Sequence, residues 1–275
     1  MLTGLKEILA PTLNKKYAIP AFNVYNMETV MGIVQAAQEL RSPIIMQSYS
    51  RLFASEAAFY LAPSVLAAAH AASVPICFHL DHGAGEKEVV RGLRWGCSGI
   101  MYDCSTLPLN ENIASTKRIV QICAEAGVNV EGELGHIGSA ADDLNQDYTD
   151  VAEAERFVAE TGIVSLAVQV GTAHGHYKKT PKVNVERIGE ISAKVPVPLV
   201  LHGGSGIPEE QIVDAIAAGI RKVNFGTDVC YSFLDKVFET PRSIVPIDVF
   251  MRDAIQAVKE FALQKIRLLG SEGKA

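Results

Sequence analysis

The chain has 275 residues, of which 48% are hydrophobic and 20% charged, with a formal net charge of -6. This composition is typical of a folded globular protein and excludes a disordered chain. Because the charge is negative and Lys and Arg form no run, we expect no nucleic-acid partner. No apolar stretch approaches the roughly 18 residues of a membrane span, so we also expect no membrane partner.

The amino-terminal segment and the cysteines indicate the compartment. Residues 1–20 read as an amphipathic helix without a signal-type cleavage site. The cysteines are odd in number, and no two have the two-residue spacing of a zinc knuckle or redox pair: Cys77, Cys97, Cys104, Cys123 and Cys230. We interpret most of them as buried thiols in a reducing compartment and predict a cytoplasmic protein.

Eight short runs rich in apolar and β-branched residues recur along the chain, with their ends about 22 to 38 residues apart. In chain order they are YAIPAFNV, PIIMQS, VPICFHLD, CSGIMYD, GVNVEGEL, IVSLAVQVG, VPLVLHG and RKVNFGT. Near-continuous apolar runs are typical of parallel strands that are buried on both faces. Eight such units predict an α/β protein, a (β/α)8 TIM barrel with residues 1–275 in a single domain.

The segments between these runs predict helices. Six of them place apolar residues three and four apart: METVMGIVQAAQEL, SEAAFYLAPSVLAAAHAA, EKEVVRGLRWG, LNENIASTKRIVQICAEAG, DVAEAERFVAETG and IPEEQIVDAIAAGI. The polar segment at about 135–150 breaks the pattern, and we predict a mobile loop there. The tail at about 249–270 predicts a long amphipathic helix, whose apolar stripe favours a homodimer or homotetramer.

Every predicted strand ends in a polar or ionisable side chain. These residues are Asn23, Ser48, Asp81 with His82, Asp103, Glu133, His174, His202 and Asn224. Active sites of barrel enzymes lie at the carboxyl ends of the strands, in a pocket built from strand ends and the loops after them. We therefore expect these side chains to converge on one pocket.

Three of these residues suit a metal ion. His82, His174 and His202 come from three strands and supply three imidazoles, the arrangement of catalytic zinc with an open coordination position. Asp103 and Glu133 are candidates for an alternative metal position, or for hydrogen-bonding the ligands. Residue types alone do not separate zinc from cobalt or manganese.

Two glycine-containing turns follow the seventh and eighth runs, where barrels commonly bind phosphate. They are HGGSG at 202–206 and NFGTD at 224–228, and GTAHG at 171–175 adds a third. A metal beside a phosphate cradle indicates a phosphorylated small-molecule substrate. A metal-dependent hydrolase or isomerase on the same barrel is an alternative, and Asp81 as a helix cap is the alternative to a catalytic role.

Several motifs occur in an order that resembles a known family. They are FNVYN, HLDHG, MYDCS, LPLNENI, VEGELG, AVQVGTAHGHY, LVLHGGSGIP and KVNFGTD, spread over about 240 of the 275 residues. The chain resembles the class II, metal-dependent ketose-bisphosphate aldolases, of the fructose- and tagatose-bisphosphate type. The resemblance implies reversible cleavage of a phosphorylated ketose into dihydroxyacetone phosphate and an aldehyde.

The resemblance also implies roles for individual residues. Zinc, with or without a monovalent cation, would bind His82, His174 and His202, and Asp81 would exchange a proton with the C4 hydroxyl. The substrate and phosphate contacts are expected at Asn23, Ser48, Gly175, Gly203, Gly204, Ser205, Asn224, Phe225, Gly226 and Thr227.

The chain departs from the family pattern at two positions. Ala141 stands where the family has a proton-transferring Glu, so Asp142 or Asp143 is the candidate shuttle in the loop. In the tail, Asp248 stands where the family has an Arg suited to a second phosphate, and Arg242 lies close by. These departures raise two further alternatives: a family member that acts on a substrate with only one phosphate, and a subunit that binds without cleaving.

Overall fold

The structure is a computed structural model that describes residues 1–140, 147–175 and 177–275. Eight parallel strands close into a barrel in sequence order. They are β1 (Ile19–Asn23), β2 (Ile44–Tyr49), β3 (Ile76–Gly83), β4 (Gly99–Tyr102), β5 (Asn129–Leu134), β6 (Ser165–Val168), β7 (Leu199–Leu201) and β8 (Ile220–Phe225). The predicted single-domain (β/α)8 barrel is confirmed.

One helix precedes the first strand, and the others lie between the strands and after the last one. They are α1 (Leu5–Leu9), α2 (Met27–Glu39), α3 (Ser50–Phe53), α4 (Ala57–Ala71), α5 (Glu86–Arg94), α6 (Leu109–Glu125), α7 (Val151–Thr161), α8 (Val185–Ser192), α9 (Glu209–Ala218), α10 (Thr227–Glu239), α11 (Ile247–Phe250) and α12 (Arg252–Leu268). In the described part of the chain, we find no helix with the length and apolar character needed to cross a bilayer.

The strands separate two sets of side chains. On β3, Phe78 and Leu80 pack outward into the main core beneath the helices, whereas Cys77 belongs to a second core inside the barrel. Since side chains alternate along a strand, His79 and Asp81 share the inward face with Cys77. Leu5 and Leu9 of α1 join this inner core, so α1 closes the amino-terminal end of the barrel. The carboxyl ends of the strands therefore carry the open end.

Two helices of eight or more residues, α8 and α10, were not predicted from the sequence. α8 has only eight residues, and α10 buries only Val229, so neither presents a long apolar stripe to sequence analysis. The tail forms the short α11 and then α12. The apolar stripe of α12 is buried inside the chain, where Val258 packs against Gly32 of α2 and Phe261 against Phe22. That stripe is therefore used within the monomer.

Candidate active site

Three imidazoles meet at the open end of the barrel. His82 Nε2 lies 3.1 Å from His174 Nε2 and 3.1 Å from His202 Nδ1, and the latter two atoms are 3.4 Å apart. The sequence analysis singled out these three histidines, and the structure brings them together.

The other nitrogen of each ring faces a hydrogen-bond acceptor. His82 Nδ1 lies 2.9 Å from Asp103 Oδ2, His174 Nδ1 3.1 Å from the Ile137 carbonyl, and His202 Nε2 3.0 Å from Glu131 Oε1. A nitrogen that faces an acceptor carries the proton, so the opposite nitrogen of the neutral ring presents its lone pair. In the neutral rings, the lone pairs are therefore on the three nitrogens that face one another: His82 Nε2, His174 Nε2 and His202 Nδ1.

Local backbone geometry explains how Asp81 and His82, adjacent in sequence, reach the same site. Adjacent strand residues normally point to opposite faces of a sheet. Here the pairing of β3 with β4 is irregular between Leu80 and Gly83, and His82 has a φ of +52°. A left-handed residue at a bulge re-aims its side chain, and such strained positions concentrate at functional sites.

The segment after β5 holds His174 in place. The His174 N–H donates to the Gly138 carbonyl at 2.9 Å, and the Ala140 N–H donates to the His174 carbonyl at 2.8 Å. These bonds form a short parallel bridge between residues 138–140 and the turn after β6. The first residues of the loop predicted at 135–150 therefore contribute to the site.

The donor set fits a zinc ion. A tetrahedral zinc with Zn–N bonds of 2.0–2.1 Å separates its nitrogen ligands by about 3.3–3.4 Å, close to the observed separations. Two buried carboxylate oxygens also lack a hydrogen-bond partner among the described residues, Asp81 Oδ1 and Glu133 Oε2. They lie 3.8 Å from His82 Nε2 and 3.9 Å from His202 Nδ1, where a cation would compensate them. His82, Asp103 and Glu133 form a second, overlapping group of possible ligands.

The electrostatics of the histidines suit ligation. Burial lowers the pKa of His174 to about 4 and holds that of His202 well below its ordinary value, so both rings are neutral near pH 7. Burial also acts to lower the pKa of His82, but Asp81 and the Asp103 hydrogen bond raise it to about 9. A metal ion at this point would take the place of the proton on His82.

The two candidate acidic ligands are held differently. The pKa of Asp103 is lowered, because the hydrogen bonds from His82 and Ser105 outweigh burial. Burial and the neighbouring Asp103 raise the pKa of Glu133 to about 8. Ser105 Oγ lies within hydrogen-bond distance of both, 2.8 Å from Asp103 Oδ1 and 3.0 Å from Glu133 Oε1. Asp103 and Glu133 thus lie against the histidine cluster, as their strand-end positions predicted.

A buried ion pair beneath His202 was missed by sequence analysis. Lys222 Nζ of β8 lies 3.1 Å from Glu131 Oε1 and 3.0 Å from Oε2, and Ser165 Oγ donates to Oε2 at 3.3 Å. The side chains of His202, Glu131 and Lys222 are all fully buried. The available signal was a charge two residues before a strand-end polar residue, Glu131 before Glu133 and Lys222 before Asn224.

The site opens into a cavity of about 610 Å³, a size typical of small-molecule sites. Asp81 lines it and is held by a chain of amides, because Asn23 Nδ2 donates to Asp81 Oδ2 at 2.7 Å and Gln47 Nε2 donates to Asn23 Oδ1 at 2.9 Å. Asp81 Oδ1 faces the histidines. Seven more predicted residues line the cavity besides Asn23 and Asp81: His174, Gly175, Gly203, Ser205, Asn224, Gly226 and Thr227.

The turns after β7 and β8 form one wall of the cavity. α10, one of the helices absent from the predictions, begins at Thr227 with Gly226 at its N-cap. Its amino-terminal N–H groups and dipole favour an anion. Tyr177 ties the turns together, since its hydroxyl accepts from the Ala173 N–H at 2.8 Å and donates to the Gly203 carbonyl at 3.0 Å. The sequence analysis did not assign Tyr177 a site role.

Several predicted site residues lie elsewhere. Among the described residues that line the cavity, Gln47 and Tyr49 replace Ser48, because Ser48 lies on the alternate face of β2. The Phe225 ring packs outward against Phe22 and Phe261. Gly204 is absent from this lining, and its N–H donates to the Asn224 carbonyl at 3.0 Å.

Of the two departures from the family pattern, the structure describes only the one in the tail. Asp142 and Asp143, the candidate proton shuttle, and Ala141 fall outside the described residues. Arg242 and Asp248 are exposed, and neither belongs to the cavity lining in the part of the chain that the structure describes. Sequence analysis missed seven described residues that do line it besides Gln47: Tyr25, Tyr49, Arg51, Ser139, Cys230, Tyr231 and Leu234.

Comparison with known proteins identifies the family. Residues 3–274 match the family model of class-II fructose-bisphosphate aldolase. The YdjI aldolase from Escherichia coli K12 is 37% identical, with a TM-score of 0.91 and complete coverage of both chains. A proposed fructose-1,6-biphosphate aldolase from Coccidioides immitis is 31% identical, with a TM-score of 0.90, covering 98% of this chain and 97% of that one.

A fructose-bisphosphate aldolase from Campylobacter jejuni is 22% identical, with a TM-score of 0.85, and it covers all of this chain and 97% of its own. At that identity the likeness shows the fold alone. The family match over nearly the whole chain confirms the resemblance drawn from the motifs and favours a lyase over a hydrolase or isomerase. The chain therefore belongs to the class II fructose-bisphosphate aldolase family and is an aldolase.

Proposed function

We propose that the chain is a zinc-dependent aldolase that reversibly cleaves a phosphorylated ketose into dihydroxyacetone phosphate and an aldehyde. The substrate class is tagatose or fructose 1,6-bisphosphate or a related ketose 1-phosphate. The convergence of His82, His174 and His202 beside Asp81 is the observation that carries this proposal.

Asp81 is proposed as the catalytic base. It would take the proton from the C4 hydroxyl as the C3–C4 bond breaks, so that C4 becomes the aldehyde carbonyl and the bonding electrons remain with C3. Asn23 donates a hydrogen bond to Asp81 Oδ2, and Gln47 in turn donates to Asn23. Oδ1 of Asp81 would therefore be the oxygen that faces the substrate. C3 must then gain a proton, and we propose Asp142 or Asp143 of the loop as its source.

His82, His174 and His202 would hold the zinc ion, with Asp103 and Glu133 available as a second position. Bound zinc supplies Lewis-acid polarisation of the substrate carbonyl. A monovalent cation is a further proposed component. Asn224, Gly203, Ser205, Gly226 and Thr227 would bind the phosphate of the dihydroxyacetone half, supported by the amino terminus of α10.

The test is a retro-aldol assay that follows triose phosphate release from tagatose 1,6-bisphosphate, fructose 1,6-bisphosphate and ketose 1-phosphates. Asp81→Asn keeps an acceptor for Asn23 but removes the base, so we expect kcat to fall about 10²–10⁴-fold while zinc content is unchanged. Release at the same rate from this variant would refute the role of Asp81. No release from any substrate by the zinc-loaded wild type would refute the proposed function.

We also propose a homodimer or homotetramer in the cytoplasm. The support for assembly comes from large apolar side chains near the carboxyl terminus of α10, because Phe238, Val245 and Ile247 are 83%, 81% and 71% exposed. All five cysteines are free thiols and four are buried, which suits a reducing compartment. Light scattering coupled to gel filtration measures the assembly, and a monomer at micromolar concentration would refute it.

A further inference from the structure

One arginine lies on the cavity wall away from the glycine-rich turns. Arg51 belongs to α3, directly after β2. It is the only Arg or Lys among the described residues that line the cavity. β2 is separated by β1 from β8, whose turn forms the proposed phosphate wall. The cation therefore lies two strands away from the end assigned to dihydroxyacetone phosphate.

Arg51 is placed by stacking. Its guanidinium carbon lies 4.9 Å from the centre of the Tyr49 ring, and Tyr49 stacks on His82 with 5.6 Å between ring centres and 26° between planes. These two distances, 4.9 Å and 5.6 Å, put an upper limit of about 10.5 Å between the guanidinium carbon and the His82 ring centre. A substrate held at the histidine cluster could therefore extend its other end toward Arg51.

Within residues 1–140, 147–175 and 177–275, no carboxylate forms an ion pair with the Arg51 guanidinium, and no group accepts a hydrogen bond from it. A guanidinium that stacks on an aromatic face keeps its in-plane N–H groups available for two parallel hydrogen bonds to a carboxylate or phosphate. Arg242, the tail residue near the family's distal-phosphate position, does not line the cavity in the described part of the chain. Among the described residues that line the cavity, Arg51 is then the cationic side chain that can bind a second anion.

We infer that Arg51 binds an anionic group, a carboxylate or a phosphate, at the far end of the aldehyde half of the substrate. The inference rests on the proposed function and deepens it, since it assigns the aldehyde product as acidic. Arg51 would determine specificity at the end remote from the cleaved bond, and the phosphate of the dihydroxyacetone half would stay at β7 and β8.

The test runs the reaction as a condensation, with dihydroxyacetone phosphate and three kinds of aldehyde. Glyceraldehyde 3-phosphate carries a phosphate, glucuronic acid a carboxylate, and glyceraldehyde neither. The readout is the ratio of kcat/KM for each acidic aldehyde to that for glyceraldehyde. Arg51→Met should lower this ratio about 10–100-fold for the anion that Arg51 binds, the effect of losing a charge-assisted pair. Arg51→Lys should retain part of it, because the charge remains without the planar fork.

Arg94→Met is the matched control, an exposed arginine of α5 outside the cavity lining, and its ratios should equal those of the wild type. A fall confined to glyceraldehyde 3-phosphate or to glucuronic acid identifies the anion, and either supports the inference. Unchanged ratios in Arg51→Met, or a wild type that prefers glyceraldehyde to both acids, would overturn the inference alone. A wild type that condenses no aldehyde would overturn the proposed function, and the Arg51 subsite with it.

Discussion

The ion pair beneath His202 yields a prediction that separates electrostatics from packing. Glu131→Gln leaves the Lys222 ammonium fully buried without its carboxylate. Lys222→Met leaves Glu131 with His202 and Ser165 as its side-chain partners among the described residues. Breaking a buried pair from one side costs about 3–5 kcal/mol, because the remaining charge is desolvated and uncompensated. We therefore expect each single variant to lose about 3–5 kcal/mol of unfolding free energy.

The double variant Glu131→Gln/Lys222→Met removes both charges at similar volume. Since replacing a whole buried pair is often nearly neutral, we expect it to lose no more than either single variant. The coupling energy in the double-mutant cycle is then at least about 3–5 kcal/mol. Urea unfolding of the three variants measures it, with the exposed Glu155→Gln of α7 as a control that should stay within about 0.5 kcal/mol.

The same cycle reports on the metal site. Glu131→Gln replaces the charged acceptor of His202 Nε2 with a neutral one, which orients the ring less firmly and makes it a weaker ligand. The affinity for zinc, measured by competition with a chelator, should therefore fall about 10–100-fold. Additive losses in the double variant, or unchanged zinc affinity in Glu131→Gln, would refute the reasoning that Lys222 and Glu131 act as a unit that orients His202.

Three further predictions follow from the geometry. His79 is fully buried, and burial lowers its pKa from 6.5 to about 3. As pH falls below about 6.5, His79 takes up a proton in the unfolded chain but not in the folded one, so the free energy of unfolding decreases. Between pH 7.5 and 5.5 the wild type should lose about 1.4 kcal/mol more than His79→Gln in urea unfolding, and parallel pH curves would contradict this. Gly203 has a φ of +65°, and an added Cβ would meet the Ala173 carbonyl. Gly203→Ala should therefore displace the turn that binds the phosphate and lower kcat/KM about 100-fold in the retro-aldol assay. Gly189→Ala is the control, because a Cβ at Gly189 would meet open space, and its kcat/KM should not fall. Equal activity of the two variants would refute the proposed strain at Gly203. Tyr177→Phe removes both hydrogen bonds of the hydroxyl to the turns after β6 and β7, so it should lower the free energy of unfolding by about 1–3 kcal/mol and raise the KM for substrate. A KM equal to that of the wild type would contradict the proposal that Tyr177 positions these turns.

The barrel and the side chains at its open end were predictable because two simple sequence patterns indicate them. Buried parallel strands read as continuous apolar runs, and polar residues such as Asp81 and His202 stand where those runs end. Since all strand ends of a barrel meet at one face, placing the three histidines together required only the order of the strands.

Other features depend on geometry that residue patterns do not encode. The irregular pairing of β3 and the positive φ of His82 decide that Asp81 and His82 share a site, and neither is visible in the letters HLDHG. Ser48 was assigned to the pocket because a strand end was read without its face, and alternation places Gln47 and Tyr49 there instead. Glu131 and Lys222 lie two residues before the polar residues at the ends of β5 and β8. Sequence analysis considered only the strand ends and therefore missed them.

The most direct test of the central claim is retro-aldol activity during removal and return of the metal. Bound zinc per chain and the rate of triose phosphate release should fall together under a chelator and return together when zinc is added, in the wild type but not in a His202→Ala variant. A rate that persists after the zinc has been removed would contradict the assignment of His82, His174 and His202 as the zinc site that drives cleavage.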